Sequence, residues 1–589
     1  MTFIRRIRDS WAKNPWATIA VQLAAERRRL VPLGAALLLS TLLPLAGPQL
    51  TARVVDGAIA RAPLRTLVSL AGAYLAVVVA GQAATVAASY LASVTAWRTA
   101  NRLRERVAAH AIRLDMAFHG RHTPGEMIER VDGDLLGLTQ FLSSFAAQAL
   151  GSILMLAGTL VLVWSVDVRL GAALTTLVAI GATGLITAQR RVVPYAAALR
   201  EETAQMFGSV EERLVAAEDI RANGAGPHVV RRFQESAGRV LSAERRWQLR
   251  GGGVLAGTNL LFGIGTVVLL GVGILLREAG SVTVGTLVLL FQYAQMVRSP
   301  VEQIIGQARQ LHEAGASATR VAGLLAERPS IVWPAVPRAL PANGPLGLRF
   351  RAVTFAYPGD SPVLHDIELE VPAGTSLGLV GRTGSGKTTV GRLALRLYDP
   401  TAGSVELAGA DLREVGHRAL RRRVGVVTQE VHLFAASVRD NVTLFDGAID
   451  DGAVTEALEA VGLRRWLEAL PDGLDTRLGA GGAGLSAGEA QLVAFARAFV
   501  ARPGLVVLDE ASSRLDPVTE EAVEAATERL LASTTAIVIA HRLQTLAGVD
   551  AVAVIEGGRI AEHGPRPELV ADRASRFSGL LSAAAGGGT

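Results

Sequence analysis

Residues 377–388 read Leu377-Gly378-Leu379-Val380-Gly381-Arg382-Thr383-Gly384-Ser385-Gly386-Lys387-Thr388. A short apolar run, Leu377–Val380, passes into the pattern G-x-x-x-x-G-K-[ST] and then into a helical stretch, Thr388–Leu397. Each part has a chemical reason. Glycines let backbone N–H groups curl around phosphate oxygens at the positive end of a helix. Lys387 supplies a cation for the terminal phosphates, and Thr388 supplies a hydroxyl for Mg²⁺. The strand–loop–helix context separates this from a chance match in a chain with 62 glycines. Gly381, Thr383, Gly384, Ser385, Gly386, Lys387, Thr388 and Thr389 are the candidate nucleotide-binding residues of this loop.

Further apolar runs, Val424–Val427, Leu505–Leu508 and Ala536–Ala540, alternate with helical stretches. They read as buried strands of an α/β domain over 346–589. Leu505–Leu508 ends in Asp509-Glu510. Beside a phosphate loop, one carboxylate suits Mg²⁺ and the next suits orienting or deprotonating an attacking water. Ahead of this domain, Pro329, Pro334, Pro337, Pro341 and Pro345 mark a linker, 329–345, stiff where proline dominates.

Residues 1–328 are of another kind. Six stretches contain no Asp, Glu, Lys or Arg: 30–52, 66–97, 135–166, 170–189, 251–276 and 279–297. Each is long enough to cross roughly 30 Å of hydrocarbon. The last is diluted by Gln292, Tyr293 and Gln295. The whole chain of 589 residues is 50% hydrophobic and only 19% charged, which excludes both disorder and a wholly soluble protein. With no cysteine, disulfides, thiolate metal sites and thiol nucleophiles are excluded. The net charge of +6 is carried almost entirely by arginine, since Lys13 and Lys387 are the only lysines.

That arginine lies where membrane topology puts it. The N-terminal 1–29 and the long connections 98–134 and 190–250 hold 25 basic residues, against five in the short connections 53–65, 167–169 and 277–278. The positive-inside rule places the N-terminus and both long loops in the cytoplasm. The first apolar run fits a span and not a cleavable signal. The long loops carry helical patterns broken at Gly120, at Thr123-Pro124-Gly125 and at Asn223-Gly224-Ala225-Gly226-Pro227. Two helical hairpins projecting below the membrane are predicted.

Further segments carry a family resemblance. Leu485-Ser486-Ala487-Gly488-Glu489 precedes the acidic strand and resembles the ABC signature, usually LSGGQ. Gln429 follows Val424–Val427 as the Q-loop glutamine does, and His541 follows Ala536–Ala540 as the switch histidine does. Ser513-Arg514-Leu515-Asp516 resembles the D-loop, and Tyr357 in Phe355-Ala356-Tyr357-Pro358-Gly359 resembles the aromatic that stacks on adenine. Leu505–Glu510 looks like a Walker B strand. The chain thus resembles an exporter-type ABC half-transporter over essentially its whole length. The resemblance implies a six-span α-helical membrane domain followed by a P-loop NTPase domain of α/β fold. It implies ATP and Mg²⁺ as cofactors, with Mg²⁺ held by Thr388, Gln429 and Asp509. Catalytic roles fall to Glu510, His541 and Gln429, and Ser486, Ala487, Gly488 and Glu489 act on a partner's ATP beside Asp516. The short segments His119–Met127 and Glu218–Pro227 resemble coupling helices.

One phosphate loop and one signature complete no ATP site alone, so two chains are implied. Ala487 and Glu489 depart from the signature, as does Arg514 from the D-loop, while the catalytic set is complete. This favours a heterodimer over a homodimer. The expected location is a bacterial inner membrane with the ATPase domain in the cytoplasm, among membrane lipid, with no nucleic acid. Cargo is expected to be an amphipathic small molecule, lipid or peptide, since the spans hold no charge. Tyr74, Gln82, Tyr90, Gln140, Gln148, Asn259, Gln292 and Tyr293 are the polar candidates to face it. An importer of siderophore-like cargo and a nucleotide-gated channel or regulatory subunit remain the alternatives.

Overall fold

The structure is a computed structural model that describes residues 15–479, 484–509, 517–540 and 543–586. Glu510, His541 and Ser513-Arg514-Leu515-Asp516 lie outside the described residues. The chain divides into two compact units, one of Met1–Ile112 with Pro124–Glu327 and one of Arg113–Thr123 with Arg328–Thr589.

The helices of the first part of the chain are α1 (Pro15–Ala25), α2 (Arg27–Ile59), α3 (Leu64–Arg113), α4 (Met116–His119), α5 (Pro124–Val166), α6 (Val168–Val215), α7 (Ala217–Ala222), α8 (Gly226–Glu278) and α9 (Val284–Ala326). By length and composition α2, α3, α5, α6 and α8 can each cross a membrane. The sixth helix, α9, is 43 residues long and carries the polar dilution noted in the sequence. It begins later than the charge-free run does. Gly280 turns the chain at φ 74°, and the Thr283 side chain accepts from the Thr286 amide at 3.1 Å to start the helix. With 50 residues, α3 is about 75 Å long, more than twice the apolar thickness of a bilayer. The long loops thus continue the spans as helices. Asn223, Gly224 and Ala225 interrupt the second hairpin, with Gly224 at φ 64°, and Pro227 sits in the first turn of the returning helix.

Close packing inside this unit depends on small residues. A methyl on Gly181 of α6 would sit 2.7 Å from the Phe262 ring of α8, and one on Gly265 would sit 2.0 Å from Leu177. Without a hydrophobic drive between helices in lipid, such close approach is what holds them. Between α5 and α9 part of the contact is polar. Ser144 donates to Gln310 Oε1 at 2.9 Å, Gln307 donates to Gln148 Oε1 at 3.0 Å, and Ser152 donates to Gln303 Oε1 at 2.7 Å. Below this ladder the buried Asp134 carboxylate takes a two-armed ion pair from Arg320. A buried carboxylate needs such a partner. Two π-helical segments, Glu129–Gly133 and Phe145–Leu150, interrupt α5.

The second unit has two sheets. A four-stranded antiparallel sheet has the order β2-β1-β4-β5, from β1 (Leu348–Ala356), β2 (Pro362–Val371), β4 (Ala402–Leu407) and β5 (Ala410–Asp411). A six-stranded sheet has the order β10-β9-β3-β8-β7-β6, from β3 (Ser376–Val380), β6 (Val424–Val427), β7 (Leu505–Asp509), β8 (Thr535–Ile539), β9 (Ala551–Glu556) and β10 (Arg559–Pro565). Its inner strands are parallel. Both faces are covered, which is why these strands read as unbroken apolar runs. Leu377, Leu379, Val507, Ile537 and Ile539 face a core shared with the antiparallel sheet and α10 (Lys387–Ala394). Val380, Val506, Leu508 and Val538 face a second core. That core is built with α11 (Val438–Thr443), α12 (Asp451–Ala460), α13 (Ala487–Ala501) and α14 (Pro517–Leu531).

The tip Arg113–Thr123 is part of this unit, and Asp115 anchors it. Its carboxylate caps α4 by accepting from the Phe118 amide at 3.2 Å, and it also accepts from the Ser330 hydroxyl at 2.7 Å, the Ile331 amide at 3.1 Å and the Ser330 amide. Burial pushes this carboxyl up, but the four donors outweigh burial and hold it below the usual carboxylate range. The short tip helix is Met116–His119, capped by Asp115, and the stretch His119–Met127 read from sequence overlaps its last residue and the start of α5. The proline-rich segment is also docked. Fully buried Arg396 donates to Val332 O at 3.0 Å and lies 4.2 Å from the Trp333 ring centroid.

Candidate functional site

The carboxyl ends of β3, β8, β7 and β6 lie side by side, which is where open α/β sheets bind ligands. The phosphate-binding loop leaves β3 there. Gly381, Gly384 and Gly386 have φ of 155°, 82° and 108°. At Gly381 a methyl would also lie 2.2 Å from Ile555 O. No other residue type suits that position. Lys387 is 4% exposed, and its Nζ donates to Gly381 O at 2.6 Å and Arg382 O at 3.2 Å. The ammonium is thus held inside the loop by carbonyls. Among the described residues the Ser385 hydroxyl is buried without a hydrogen-bond partner, a polar group left for a ligand. Thr388 is half-buried at the start of α10. Gly391 in the same helix sets the approach to the sheet, since a methyl there would meet Ile539 at 2.9 Å.

Asp509 ends β7 opposite Ile539 of β8, and β8 in turn pairs with β3. Gln429 follows β6, is exposed, and stands two residues beyond Val427, which pairs with Leu508. Thr388, Gln429 and Asp509 offer a hydroxyl, an amide oxygen and a carboxylate, a hard-oxygen set that suits Mg²⁺. Among the described residues no cluster of three His, Cys, Asp or Glu forms a separate metal site.

Tyr357 is packed edge-on against Phe355 and Tyr398, with centroids 4.9 and 5.2 Å away. Its hydroxyl lies 3.1 Å from Thr389 Oγ1 and accepts from Arg392 at 3.0 Å. The ring is therefore tied to α10, the helix that starts at Lys387.

The signature opens α13. Ser486 and Glu489 form a capping box: the Glu489 amide donates to Ser486 Oγ at 3.2 Å, and Glu489 Oε2 accepts from the Ser486 amide at 2.7 Å and hydroxyl at 2.9 Å. Sequence comparison marked Glu489 as a departure and missed this role, although S-x-x-E ahead of an apolar run is a known cap pattern. Ala487 is exposed, so its methyl meets no packing penalty within this chain. Gly488 is the constrained glycine, since a methyl there would lie 1.9 Å from Thr519 of α14.

In the first unit the polar candidates separate. Tyr74, Gln82 and Gln292 line a cavity of about 440 Å³ between α2, α3 and α9. Gln140, Tyr90 and Asn259 are exposed. Gln148 pairs with Gln307, and Tyr293 is fully buried with its hydroxyl on Leu45 O at 2.7 Å. These last two are interhelical glue and not cavity-facing, because a polar group in an apolar span bonds to the nearest backbone or amide. A larger cavity of about 640 Å³ lies between α6 and α8. Arg191, Tyr195, Arg250 and Thr258 form its polar part, with Arg250 5.2 Å from the Tyr195 ring centroid. Leu185, Val254 and Leu261 form apolar wall. Both arginines lie just outside charge-free runs, so counting only intramembrane charge missed them.

The ABC transporter transmembrane region family matches residues 32–301, and the ABC transporter family matches 364–513. The chain belongs to the ABC transporter family, as an exporter-type half-transporter that spans the membrane and couples ATP hydrolysis to transport. A fatty acid ABC transporter ATP-binding/permease protein of Mycobacterium tuberculosis is 32% identical over 485 residues, covering 82% of this chain and 76% of its own. An ATP-dependent lipid A-core flippase of Chromobacterium violaceum is 31% identical over 495 residues, covering 82% of each. A multidrug efflux ATP-binding/permease protein of Mycobacterium bovis is 30% identical, covering 97% of this chain and 47% of its own. The solved structure of a bacterial Atm1-family ABC exporter with ATP bound has the same fold, with a TM-score of 0.79 at 24% identity over 95% of this chain and 99% of that one.

Proposed function

We propose that this chain is one half of a dimeric exporter in a bacterial inner membrane, with its ATPase domain cytoplasmic, moving an amphipathic molecule with an anionic head. The cavity between α6 and α8 carries the reading. Two guanidinium groups, no carboxylate among the described residues of the wall and a largely apolar remainder suit a charged head joined to a greasy body. Gly253 and Gly257 leave room there, since a methyl on either would meet nothing within 4 Å. Two of the relatives are named for such molecules, a fatty acid and lipid A-core. The test uses the purified transporter in nanodiscs. Oleate is expected to stimulate ATP turnover more than methyl oleate does. Arg191→Gln with Arg250→Gln is expected to weaken the oleate response by at least about tenfold, the scale of a lost charge-assisted hydrogen bond. Equal stimulation by the ester, or an unchanged double variant, would reject the anionic head.

Within the ATPase domain, Lys387, Thr388, Asp509 and Gln429 are proposed to hold ATP and Mg²⁺. Glu510 and His541 are proposed to act in hydrolysis, with Asp516 in the D-loop contact. Bound Mg²⁺ supplies charge neutralisation at the phosphates. The signature supports a heterodimer with two unlike sites. The Ser486 hydroxyl donates to Glu489, and the carboxylate occupies the positive N-terminus of α13, where a partner's phosphate would otherwise be favoured. Ala487→Gly with Glu489→Gln is therefore expected to raise turnover in a homodimer. In a heterodimer it changes turnover little, because the partner's own residues limit that site. Native mass of the purified complex decides between them: two copies of this 61.7 kDa chain, fully active alone, would exclude the heterodimer.

A further inference from the structure

A second basic cavity lies where α1 breaks into α2 beside α3. It is about 440 Å³ and is lined by Arg27, Arg28, Arg29, Arg98 and Arg102 with Glu26. Five guanidinium groups face one carboxylate. Glu26 is 5% exposed and holds two of them, Arg29 at 2.6 Å and Arg102 at 2.9 Å, so these arms are fixed in place. Arg27, Arg28 and Arg98 are exposed, and among the described residues Glu26 is the one acidic group on the wall.

The position in the chain sets the depth of this cavity. Arg27-Arg28-Arg29 directly precedes the charge-free run 30–52, and Arg98 directly follows the run 66–97. Both ends therefore lie at one membrane boundary. Trp97, 47% exposed, sits at the same level, where indole rings favour the headgroup region. Beyond the cavity, Val31, Leu38, Leu39 and Leu42 of α2 stay exposed and apolar.

We infer that this cavity binds the phosphate headgroup of an anionic phospholipid, with its acyl chains along the exposed face of α2. A phosphodiester matches the forked donors of arginine, and basic pockets between membrane helices select anionic headgroups. A soluble phosphate shares the headgroup chemistry but has nothing to place against Leu38, Leu39 and Leu42. The inference is independent of the cargo reading, since it uses other helices and other residues.

The test is native mass spectrometry of the full transporter, released from mixed phosphatidylglycerol and phosphatidylcholine. Wild type is expected to retain phosphatidylglycerol selectively. Arg27→Gln, Arg28→Gln and Arg98→Gln together leave the Glu26 ion pairs intact. This triple variant is expected to bind phosphatidylglycerol at least about tenfold more weakly, in line with three charges removed from an anionic lipid contact. Its basal ATP turnover in phosphatidylcholine is expected to stay unchanged. Selective retention by the triple variant equal to wild type would overturn the inference. So would full displacement of the lipid by millimolar glycerol phosphate, which would make this a soluble-phosphate site.

Discussion

Glu510→Gln is expected to cut steady-state ATP turnover by about 10²-fold or more while leaving ATP binding intact. The change keeps the shape of the side chain and removes its basicity. β7 delivers Asp509 to the end of the sheet, and Glu510 is the next residue. The loss therefore falls on the step in which water attacks, and the ATPase domains accumulate in a closed, ATP-bound dimer. Steady-state hydrolysis and trapping of labelled ATP are the two measurements. Turnover near wild type would mean that the working site belongs to the partner's phosphate loop.

Lys387→Ala acts earlier. It is expected to lower affinity for labelled ATP by at least about tenfold, the scale of a lost charge-assisted contact to phosphate. The structure adds a second reason. Lys387 Nζ bridges Gly381 O and Arg382 O, so its removal also loosens the loop that three positive-φ glycines shape. Equilibrium binding at low temperature separates this from a turnover defect. Unchanged affinity would contradict the role.

Much of this was legible because the solvent on each side of the chain writes it. Lipid forbids unpaired charge, so Arg53, Arg65 and Arg98 bracket two spans to within a residue of the charge-free runs. Burial on both faces of the six-stranded sheet made Val424–Val427 and Leu505–Leu508 continuous apolar runs. What escaped was whatever depends on a distant partner. Tyr293 reads as a polar side chain in a span, yet it is buried because Leu45 O lies within its reach. Asp115 reads as one more loop acid, yet it gathers donors from Ser330 and Ile331, more than 200 positions away. The helix α9 starts at Val284, inside the charge-free run, because Ala279 to Thr283 are uncharged but turn the chain.

The ladder between α5 and α9 has a consequence for sliding. Its rungs join Ser144, Gln148 and Ser152 to Gln310, Gln307 and Gln303. A shift of one helical turn, about 5.4 Å, would set Gln140 against Gln310 and Ser144 against Gln307. It would set Gln148 against Gln303 and Ser152 against Ser299. Every rung then finds a new polar mate, while half a turn strands the amides among apolar side chains at the cost of unmade hydrogen bonds. A slide by half a turn would therefore cost hydrogen bonds that a slide by a whole turn would offer again, like the teeth of a ratchet.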